Sequence, residues 1–140
     1  MIAGSVDVFN HNVETVPRLY DRVRPRARYQ WSLDVLAHAA KASPKVAVKS
    51  GMMVGLGERP EEVETVMEDL RRIGVDIFTI GQYLRPSLTH VPVVEYLRED
   101  AYEHYREVGR KMGFGHVFAG PFVRSSYNAD EALRHAQESF

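Results

Sequence analysis

The chain has 140 residues, of which 44% are hydrophobic and 26% are charged. These proportions are typical of one compact globular domain, and they exclude a disordered chain, a collagen-like fibre and a disulfide-rich mini-protein. Eighteen basic and nineteen acidic residues leave a formal net charge of −1, so no strong electrostatic field attracts nucleic acid or acidic lipid.

Cysteine is absent from the sequence. Its absence excludes disulfides, thiolate zinc sites and any iron–sulfur cluster held wholly by thiolates of this chain. No apolar run approaches the roughly 20 residues that cross a bilayer, and the segment Met1–Ser5 lacks the basic and apolar regions of a secretory signal. We therefore expect no membrane partner and a cytoplasmic location, or the mitochondrial matrix in a eukaryote.

Apolar residues follow alternating strand-like and helix-like patterns along the chain. In chain order, the predicted elements are a strand at Val6–Phe9, a short helix with Thr15 as its N-cap, a helix at about Trp31–Ala42, a strand at Lys45–Val54, a helix from Pro60 to Ile73, a strand at Asp76–Ile80, a loop at Gln82–Leu97, a helix at Arg98–Met112, a strand at His116–Ala119 and a terminal helix from Asn128. The helix that begins at Pro60 is the clearest, because five apolar residues recur on one face and Gly74 follows as a C-terminal cap.

Strands that alternate with helices predict an α/β fold with a parallel sheet and right-handed crossovers. A closed barrel of eight strand–helix units takes about 250 residues, so this chain forms either a small open sheet or the later half of a barrel. We expect residues 1–140 to form a single domain, which ends in a carboxyl-terminal segment and helix at residues 121–140.

Three of the four predicted strands continue into polar or glycine-rich sequence. The first strand leads into Asn10–Glu14, the second runs through Lys49 and Gly55 to Glu58, and the third leads into Gly81–Pro86. Because the carboxyl ends of parallel strands gather at one edge of a sheet, we expect these segments to share a rim. Such a rim suits a polar ligand with ribose hydroxyls, a carboxylate and a flat base.

Each of these segments also has a purely structural interpretation. Asn10–Asn12 is typical of turn chemistry, paired glycines are typical of a tight turn, and Glu58 favours a helix start through the helix dipole. The six histidines show no metal-ligand spacing. Tyr102 and Tyr105 are more typical of helix packing than of a platform on which bases stack, and the arginines near position 26 are too few for nucleic-acid binding.

Four segments, in this order, resemble the lipoyl synthase family of radical S-adenosylmethionine enzymes. They are Val8–Tyr20 with the following Val23-Arg24-Pro25, Lys49–Glu58, Thr79–Leu84 and Gly120–Tyr127. The similarity extends from about Val6 to Ala129, and the ending Arg-Ser-Ser-Tyr is its most diagnostic part.

The resemblance implies a partial (βα)6 barrel, S-adenosylmethionine and two [4Fe-4S] clusters. It implies an enzyme that inserts two sulfurs at C6 and C8 of an octanoyl chain carried on a lysine of a lipoyl carrier domain, with one cluster consumed as the sulfur donor. In the family a serine of Arg-Ser-Ser-Tyr ligates that cluster, which points here to Ser125 or Ser126, beside Arg124, with Ser125 favoured. A hard alkoxide matches iron less well than a thiolate does and can leave when sulfur is given up.

The resemblance also implies where S-adenosylmethionine lies. It places Asn12 and Glu14 near the ribose and the methionyl part, and it pairs Lys49 with the methionyl carboxylate. The residues expected to border the adenine are Gly51, Met53, Gly55, Glu58, Gln82, Tyr83 and Leu84. Glycine at such a position lets the backbone approach a base closely.

The sequence departs from the family in one respect. The family's two cysteine triplets lie upstream of the matching region, and this chain has no cysteine. We therefore expect a chain that is inactive and holds no cluster alone: a carboxyl-terminal half, a truncated product or one subunit of a split enzyme. Its first strand presents an open edge, which predicts self-association or a partner that supplies the missing half. The alternative is a non-catalytic α/β binding or assembly module.

Overall fold

The computed structural model describes residues 8–42 and 45–123. In chain order, its elements are β1 (Val8–Asn10), a 3₁₀ turn (Pro17–Leu19) that leads directly into α1 (Tyr20–Val23), α2 (Tyr29–Ala42), β2 (Ala47–Val54), α3 (Pro60–Ile73), β3 (Ile77–Gln82), α4 (Glu99–Met112) and β4 (His116–Ala119). This order confirms the predicted α/β alternation. None of these helices is both long enough and apolar enough to cross a bilayer.

The four strands form one parallel sheet, as predicted, and the structure shows their order to be β1-β2-β3-β4. The register places Asn10, Lys49, Ile77 and His116 side by side in one row across the sheet. Each strand therefore pairs with its neighbours in the chain, and a helix connects each strand to the next. All four carboxyl ends lie at the same edge.

The two faces of the sheet have different character because side chains alternate along a strand. One face packs under the helices, and its buried strand residues include Val48, Met52, Phe78 and Ile80. The other face carries Lys49, Gly51, Thr79 and Phe118. Gly51, Thr79 and Phe118 lie side by side on neighbouring strands. The helices thus bury one face, which also holds Ser50 and Gln82, and the polar residues Lys49 and Thr79 lie on the other.

Helix α3 confirms the prediction from its apolar pattern. Its buried residues are Val63, Val66, Met67 and Leu70, and the helix ends at Gly74 with a φ of 108°. Helix α4 ends in the same way at Gly113, with a φ of 94°. Tyr102 and Tyr105 of α4 are buried in the core, which confirms their interpretation as packing residues. Glycine suits both helix ends because it adopts the left-handed conformation without strain.

Other details differ from the predictions. Thr15 is not an N-cap: the 3₁₀ turn follows Val16, whose side chain makes no capping hydrogen bond, and the Thr15 hydroxyl is buried without a partner among the described residues. Helix α2 begins at Tyr29, two residues before the predicted start, and β3 continues through Gln82. The expected terminal helix from Asn128 lies outside the described residues.

Candidate functional site

The segment that follows β1 runs alongside the second half of β2. The backbone N–H of His11 donates to Lys49 O at 3.1 Å, and that of Glu14 donates to Gly51 O at 3.0 Å. The N–H of Met53 donates in turn to Glu14 O at 2.9 Å. Residues 11–14 therefore extend the sheet beyond the end of β1. The structure thus brings together two of the segments expected to share a rim.

Glu14 has a φ of 71°, in the left-handed region that residues other than glycine rarely adopt. Holding a glutamate in this conformation costs on the order of 1–3 kcal/mol, and such strain is common at functional sites. The paired backbone bonds to Gly51 and Met53 keep Glu14 in place. The strained position therefore lies within the predicted rim, next to the β2 segment expected to border a ligand.

Gly51 lies beneath two polar side chains on the face of the sheet away from the helices. A Cβ atom built at this position would lie 2.1 Å from Thr79 Oγ1 and 3.2 Å from Asn12 Oδ1. Glycine is therefore required here so that the Asn12 amide and the Thr79 hydroxyl can both approach the backbone of β2 closely. Sequence reasoning missed Thr79, although a polar residue within an otherwise apolar strand is a signal that could have identified it.

Lys49 lies on the same face, two residues before Gly51 and in the register row of Asn10 and Ile77. It is half-buried. We call the face of the sheet away from the helices the open face. It presents the ammonium group of Lys49, the amide of Asn12 and the hydroxyl of Thr79 along the carboxyl half of the sheet. This set of groups can bind carboxylate and hydroxyl oxygens.

The turn between β2 and α3 is shaped by its own carboxylate. Glu58 Oε1 accepts hydrogen bonds from the N–H of Leu56 at 2.9 Å and of Gly55 at 3.1 Å, and Oε2 accepts from Gly55 at 3.0 Å. Burial raises the pKa of Glu58, while these amide donors oppose the change. The structure therefore gives Glu58, an expected cofactor contact, two partners inside the turn.

Gly55 has a φ of 96°, and the space beside it is filled. A Cβ atom at this position would lie 2.3 Å from both Gln82 Nε2 and Glu95 O. The Gly55 carbonyl accepts a hydrogen bond from Val94 N–H at 2.8 Å. Gly55 therefore permits close packing of the long loop against the end of β2.

Arg18 connects the segment after β1 to this turn. Its Nη2 donates to Gly57 O at 2.8 Å and to Glu62 Oε1 at 2.8 Å, and its Nε donates to Glu62 Oε2 at 3.0 Å. The hydrogen bond from Arg18 lowers the pKa of the Glu62 carboxyl. Sequence reasoning did not identify Arg18, because its partners lie 39 and 44 residues away.

The residues at the end of β3 that are expected to border the adenine are Gln82, Tyr83 and Leu84. Gln82 is buried, and its Nε2 donates to Glu95 O at 2.8 Å and to Tyr83 O at 3.1 Å. Its Oε1 accepts from Leu97 N–H at 3.0 Å. Tyr83 is also buried, and its hydroxyl donates to Val91 O at 2.6 Å. Both side chains thus hold the loop, whereas Leu84 is 42% exposed.

The triplet Asn10–Asn12 is divided between the two faces. Asn12 approaches Gly51, whereas His11 Nε2 lies 3.1 Å from the buried Ser32 Oγ of α2. Burial and the positive charge of Arg24 lower the pKa of His11. His11 therefore joins β1 to the helical layer and does not contribute to the open face.

The sequence analysis expects Ser125 or Ser126, beside Arg124, to ligate iron. Arg124, Ser125 and Ser126 lie outside the described residues. Within residues 8–42 and 45–123, no group of three or more histidines and carboxylates is arranged to hold a metal ion.

Comparison with known proteins identifies relatives along most of the chain. Residues 1–70 match the family model described as the radical SAM superfamily. A lipoyl synthase from Idiomarina loihiensis is 57% identical over 124 residues, which cover 89% of this chain and 38% of that protein. Lipoyl synthases from Caldanaerobacter subterraneus subsp. tengcongensis and Rubrobacter xylanophilus are each 54% identical over 137 residues; these cover 98% of this chain, and 48% and 43% of the two proteins. The chain spans less than half the length of these relatives.

Proposed function

The chain belongs to the radical SAM superfamily and, within it, to the lipoyl synthase family, and from this premise we propose that it supplies the S-adenosylmethionine-binding strand ends of a lipoyl synthase. The reaction proposed for the assembled enzyme is insertion of two sulfurs at C6 and C8 of an octanoyl-lysine on a lipoyl carrier domain. The proposed partners are that carrier domain and a polypeptide that supplies cysteine ligands.

One observation carries this proposal. The segment with Asn12 and Glu14 and the segment with Gly51 and Met53 each resemble cofactor-binding parts of the family, and they are hydrogen-bonded to each other through the backbone of Glu14. Two segments separated by more than 30 residues thus form one continuous surface at the carboxyl edge of a parallel sheet. Ligands in parallel α/β folds bind at this edge.

The groups on the open face fit S-adenosylmethionine. The Lys49 ammonium is suited to the methionyl carboxylate, and the Asn12 amide and Thr79 hydroxyl over Gly51 are suited to hydroxyl groups of the ribose. Glu14 lies beside this set, and Leu84 offers an exposed apolar surface to the base. When bound and cleaved by one-electron reduction, S-adenosylmethionine would supply the means to abstract hydrogen atoms from an unactivated alkyl chain.

The residues of this chain do not fit a complete cluster. Four-iron clusters are held mainly by thiolates, and the chain has none. We therefore propose that the chain alone holds no cluster and is inactive. The assignment of Ser125, next to Arg124 and Ser126, as one ligand of a cluster shared with a partner remains a proposal.

Co-expression tests the proposal. The chain is produced together with the part of the Rubrobacter relative that it does not match, and the mixture is purified without oxygen. We expect a brown complex that contains iron and converts octanoyl to lipoyl groups on a carrier domain, measured by mass spectrometry. A colourless mixture that does not co-purify would instead favour a non-catalytic assembly module.

A matched pair of variants tests the cofactor assignment separately from activity. In the brown complex, Lys49→Ala is expected to weaken S-adenosylmethionine binding in equilibrium dialysis, whereas Lys45→Ala, at an exposed position before β2, is expected to leave it unchanged. Unchanged binding by the Lys49 variant would remove the proposed role of this ammonium group.

A further inference from the structure

The segment after β1 that contributes to the candidate site ends in a tight turn centred on Glu14. The N–H of Thr15 donates a hydrogen bond of 2.9 Å to Val13 O, which closes a turn of three residues, and Glu14 at its centre has a φ of 71°. A three-residue turn with a positive φ at its centre is the rare and strained form of the γ-turn. Such a conformation persists only where the surrounding structure holds it.

The sheet holds one side of this turn. The N–H of Glu14 donates to Gly51 O at 3.0 Å, and the carbonyl of Glu14 accepts from Met53 N–H at 2.9 Å. Both backbone groups of Glu14 are therefore bonded to β2. The remaining polar group of the turn is the Val13 carbonyl, against which the turn closes, and its second contact comes from the helices.

Tyr20, the first residue of α1, holds the Val13 carbonyl from the helical side. Its hydroxyl donates a hydrogen bond to Val13 O, so this oxygen accepts one bond from within the turn and one from outside it. A carbonyl oxygen has two lone pairs, and both are therefore engaged. Tyr20 is 4% exposed and Val13 is fully buried, so the bond is shielded from water.

Two neighbours keep the Tyr20 ring in place. The guanidinium carbon of Arg24 lies 5.6 Å from the centroid of the ring, and the Tyr29 ring packs edge-on at 5.8 Å. Arg24 Nη1 also lies 3.4 Å from the Tyr20 hydroxyl oxygen and 3.4 Å from Asn12 O. Tyr20 and Arg24 together thus contact two successive carbonyl groups, those of Asn12 and Val13, directly before the strained residue.

The residues on either side of Val13 are the two proposed to contact the ribose and the methionyl part, Asn12 and Glu14. Side chains whose backbone is fixed before a ligand arrives lose less conformational entropy when the ligand binds. Without the bond to Val13 O, the turn could relax toward an unstrained φ, and the positions of both side chains would change with it. The Tyr20 hydroxyl is therefore placed to control the site without lying in it.

We propose that Tyr20 is a positioning residue for S-adenosylmethionine binding: its hydroxyl bond to Val13 O holds the strained turn that sets the positions of Asn12 and Glu14. This inference rests on the proposed function. Tyr20 acts through the backbone, from the side of the helices, and contributes no direct contact with the cofactor. Its role is to hold the site in the binding conformation before S-adenosylmethionine arrives.

Two matched variants test the inference, because Tyr20→Phe and Tyr29→Phe each remove one hydrogen-bonded hydroxyl and keep the ring. The Tyr29 hydroxyl donates to Asp69 at 2.9 Å, between α2 and α3. In the chain alone, hydrogen exchange at the Thr15 amide should become about tenfold faster in Tyr20→Phe and change by less than about twofold in Tyr29→Phe. Circular dichroism establishes that both variants fold.

Binding is then measured in the brown complex described above. The dissociation constant for S-adenosylmethionine, from equilibrium dialysis, should rise about five- to tenfold with Tyr20→Phe and less than about twofold with Tyr29→Phe. In steady-state assays the loss should appear mainly in the KM for S-adenosylmethionine. A merely structural role would instead lower the fraction of folded protein, and with it kcat, without changing the affinity of the molecules that remain folded.

The outcomes separate this inference from the proposed function. Unchanged exchange at the Thr15 amide in Tyr20→Phe would overturn the inference, and so would an equal loss of affinity in the two variants. A wild-type complex that binds S-adenosylmethionine no more tightly than its Tyr20→Phe variant contradicts the inference alone. A wild-type complex that binds no S-adenosylmethionine contradicts the proposed function, and the inference is then overturned with it.

Discussion

Arg18 and Gly57 lie 39 residues apart in the chain, and the Arg18 guanidinium donates a hydrogen bond of 2.8 Å to the Gly57 carbonyl. The same guanidinium binds both carboxylate oxygens of Glu62 in the first turn of α3. The segment after β1 and the turn after β2 are therefore held as one unit. Both segments contain residues proposed to contact the cofactor, so their relative position decides the shape of the site.

Arg18→Gln is expected to loosen the turn after β2 with little loss of global stability, because the ion pair lies at the surface. The measurement is hydrogen exchange at the amides of Gly55, Leu56 and Arg59, which should become faster. Arg72→Gln, which removes a pair with Asp69 within one helix, serves as the control and should leave these amides unchanged. Equal exchange rates in the two variants would show that Arg18 does not position the turn.

Glu58→Gln is expected to destabilise the protein by about 1–2 kcal/mol, because a neutral amide accepts fewer hydrogen bonds from Gly55 and Leu56. Urea-induced unfolding gives the free energy of unfolding. Glu68→Gln, on the exposed side of α3, is the matched control and should have almost no effect. A Glu58 variant as stable as the wild type would contradict the role of the carboxylate in the turn.

Gly51→Ala is expected to cost about 1–3 kcal/mol, since the new methyl group would overlap Thr79 Oγ1. Adding Thr79→Ala should recover part of the loss, and only part, because the Thr79 carbonyl also lies 3.1 Å from the new atom. A double-mutant cycle of unfolding free energies measures this coupling. Gly120→Ala is the control, because its added atom makes an ordinary contact of 3.6 Å. Strictly additive effects would argue against the predicted overlap.

The stability of the protein is expected to depend on the protonation of His11. Burial and the charge of Arg24 lower the pKa of His11 from its ordinary 6.5, so the unfolded chain binds this proton at a pH where the folded chain does not. The free energy of unfolding should therefore fall as the pH decreases from about 7 through the lowered pKa. His11→Gln should remove this component, and His90→Gln, in the exposed loop, should retain it. A steeper pH dependence in the His11 variant would show that protonation of His11 stabilises the folded chain, contrary to the prediction.

Gln82→Leu is expected to release the loop between β3 and α4. The change leaves the Glu95 and Tyr83 carbonyls and the Leu97 N–H without their partner, at a cost of about 2–3 kcal/mol. Limited proteolysis should then cut within residues 83–98 more rapidly. Gln30→Leu, which removes an exposed bond to Asp34, should not change the cleavage rate. Unaltered cleavage in the Gln82 variant would contradict its role as an anchor.

Sequence patterns predicted the elements whose determining residues lie close together in the chain. The apolar period of α3, its proline at the start and Gly74 at its end lie within 15 consecutive residues, and the helix was predicted to within a residue. The start of α2 was missed because Tyr29 is held by Asp69, 40 residues away. Thr15 is a residue type that commonly caps helices, but the path of the chain buries its hydroxyl.

The sequence predicted which segments form the candidate site, because they follow the carboxyl ends of predicted strands. The sequence indicates which segments meet at the rim, and the structure brings the segment of Asn12 and Glu14 to Gly51. The sequence does not reveal which way a side chain points once a strand has ended. His11 turns to the helices, and Gln82 binds carbonyl groups of a loop that follows it. These contacts depend on partners that are remote in the chain or that lie in a loop without regular secondary structure.

The sheet order β1-β2-β3-β4 has a consequence for how the protein is made. Since every strand pairs with the one synthesised just before or after it, each new unit can join the structure already formed as it leaves the ribosome, without threading between earlier strands. Paired residues such as Val8 and Ala47 are nevertheless separated by a whole helical connection, so each pairing forms only after that connection has been synthesised, and parallel pairing of this kind is slow. The same architecture allows a gene to be divided between two units without changing the path of the backbone within either product.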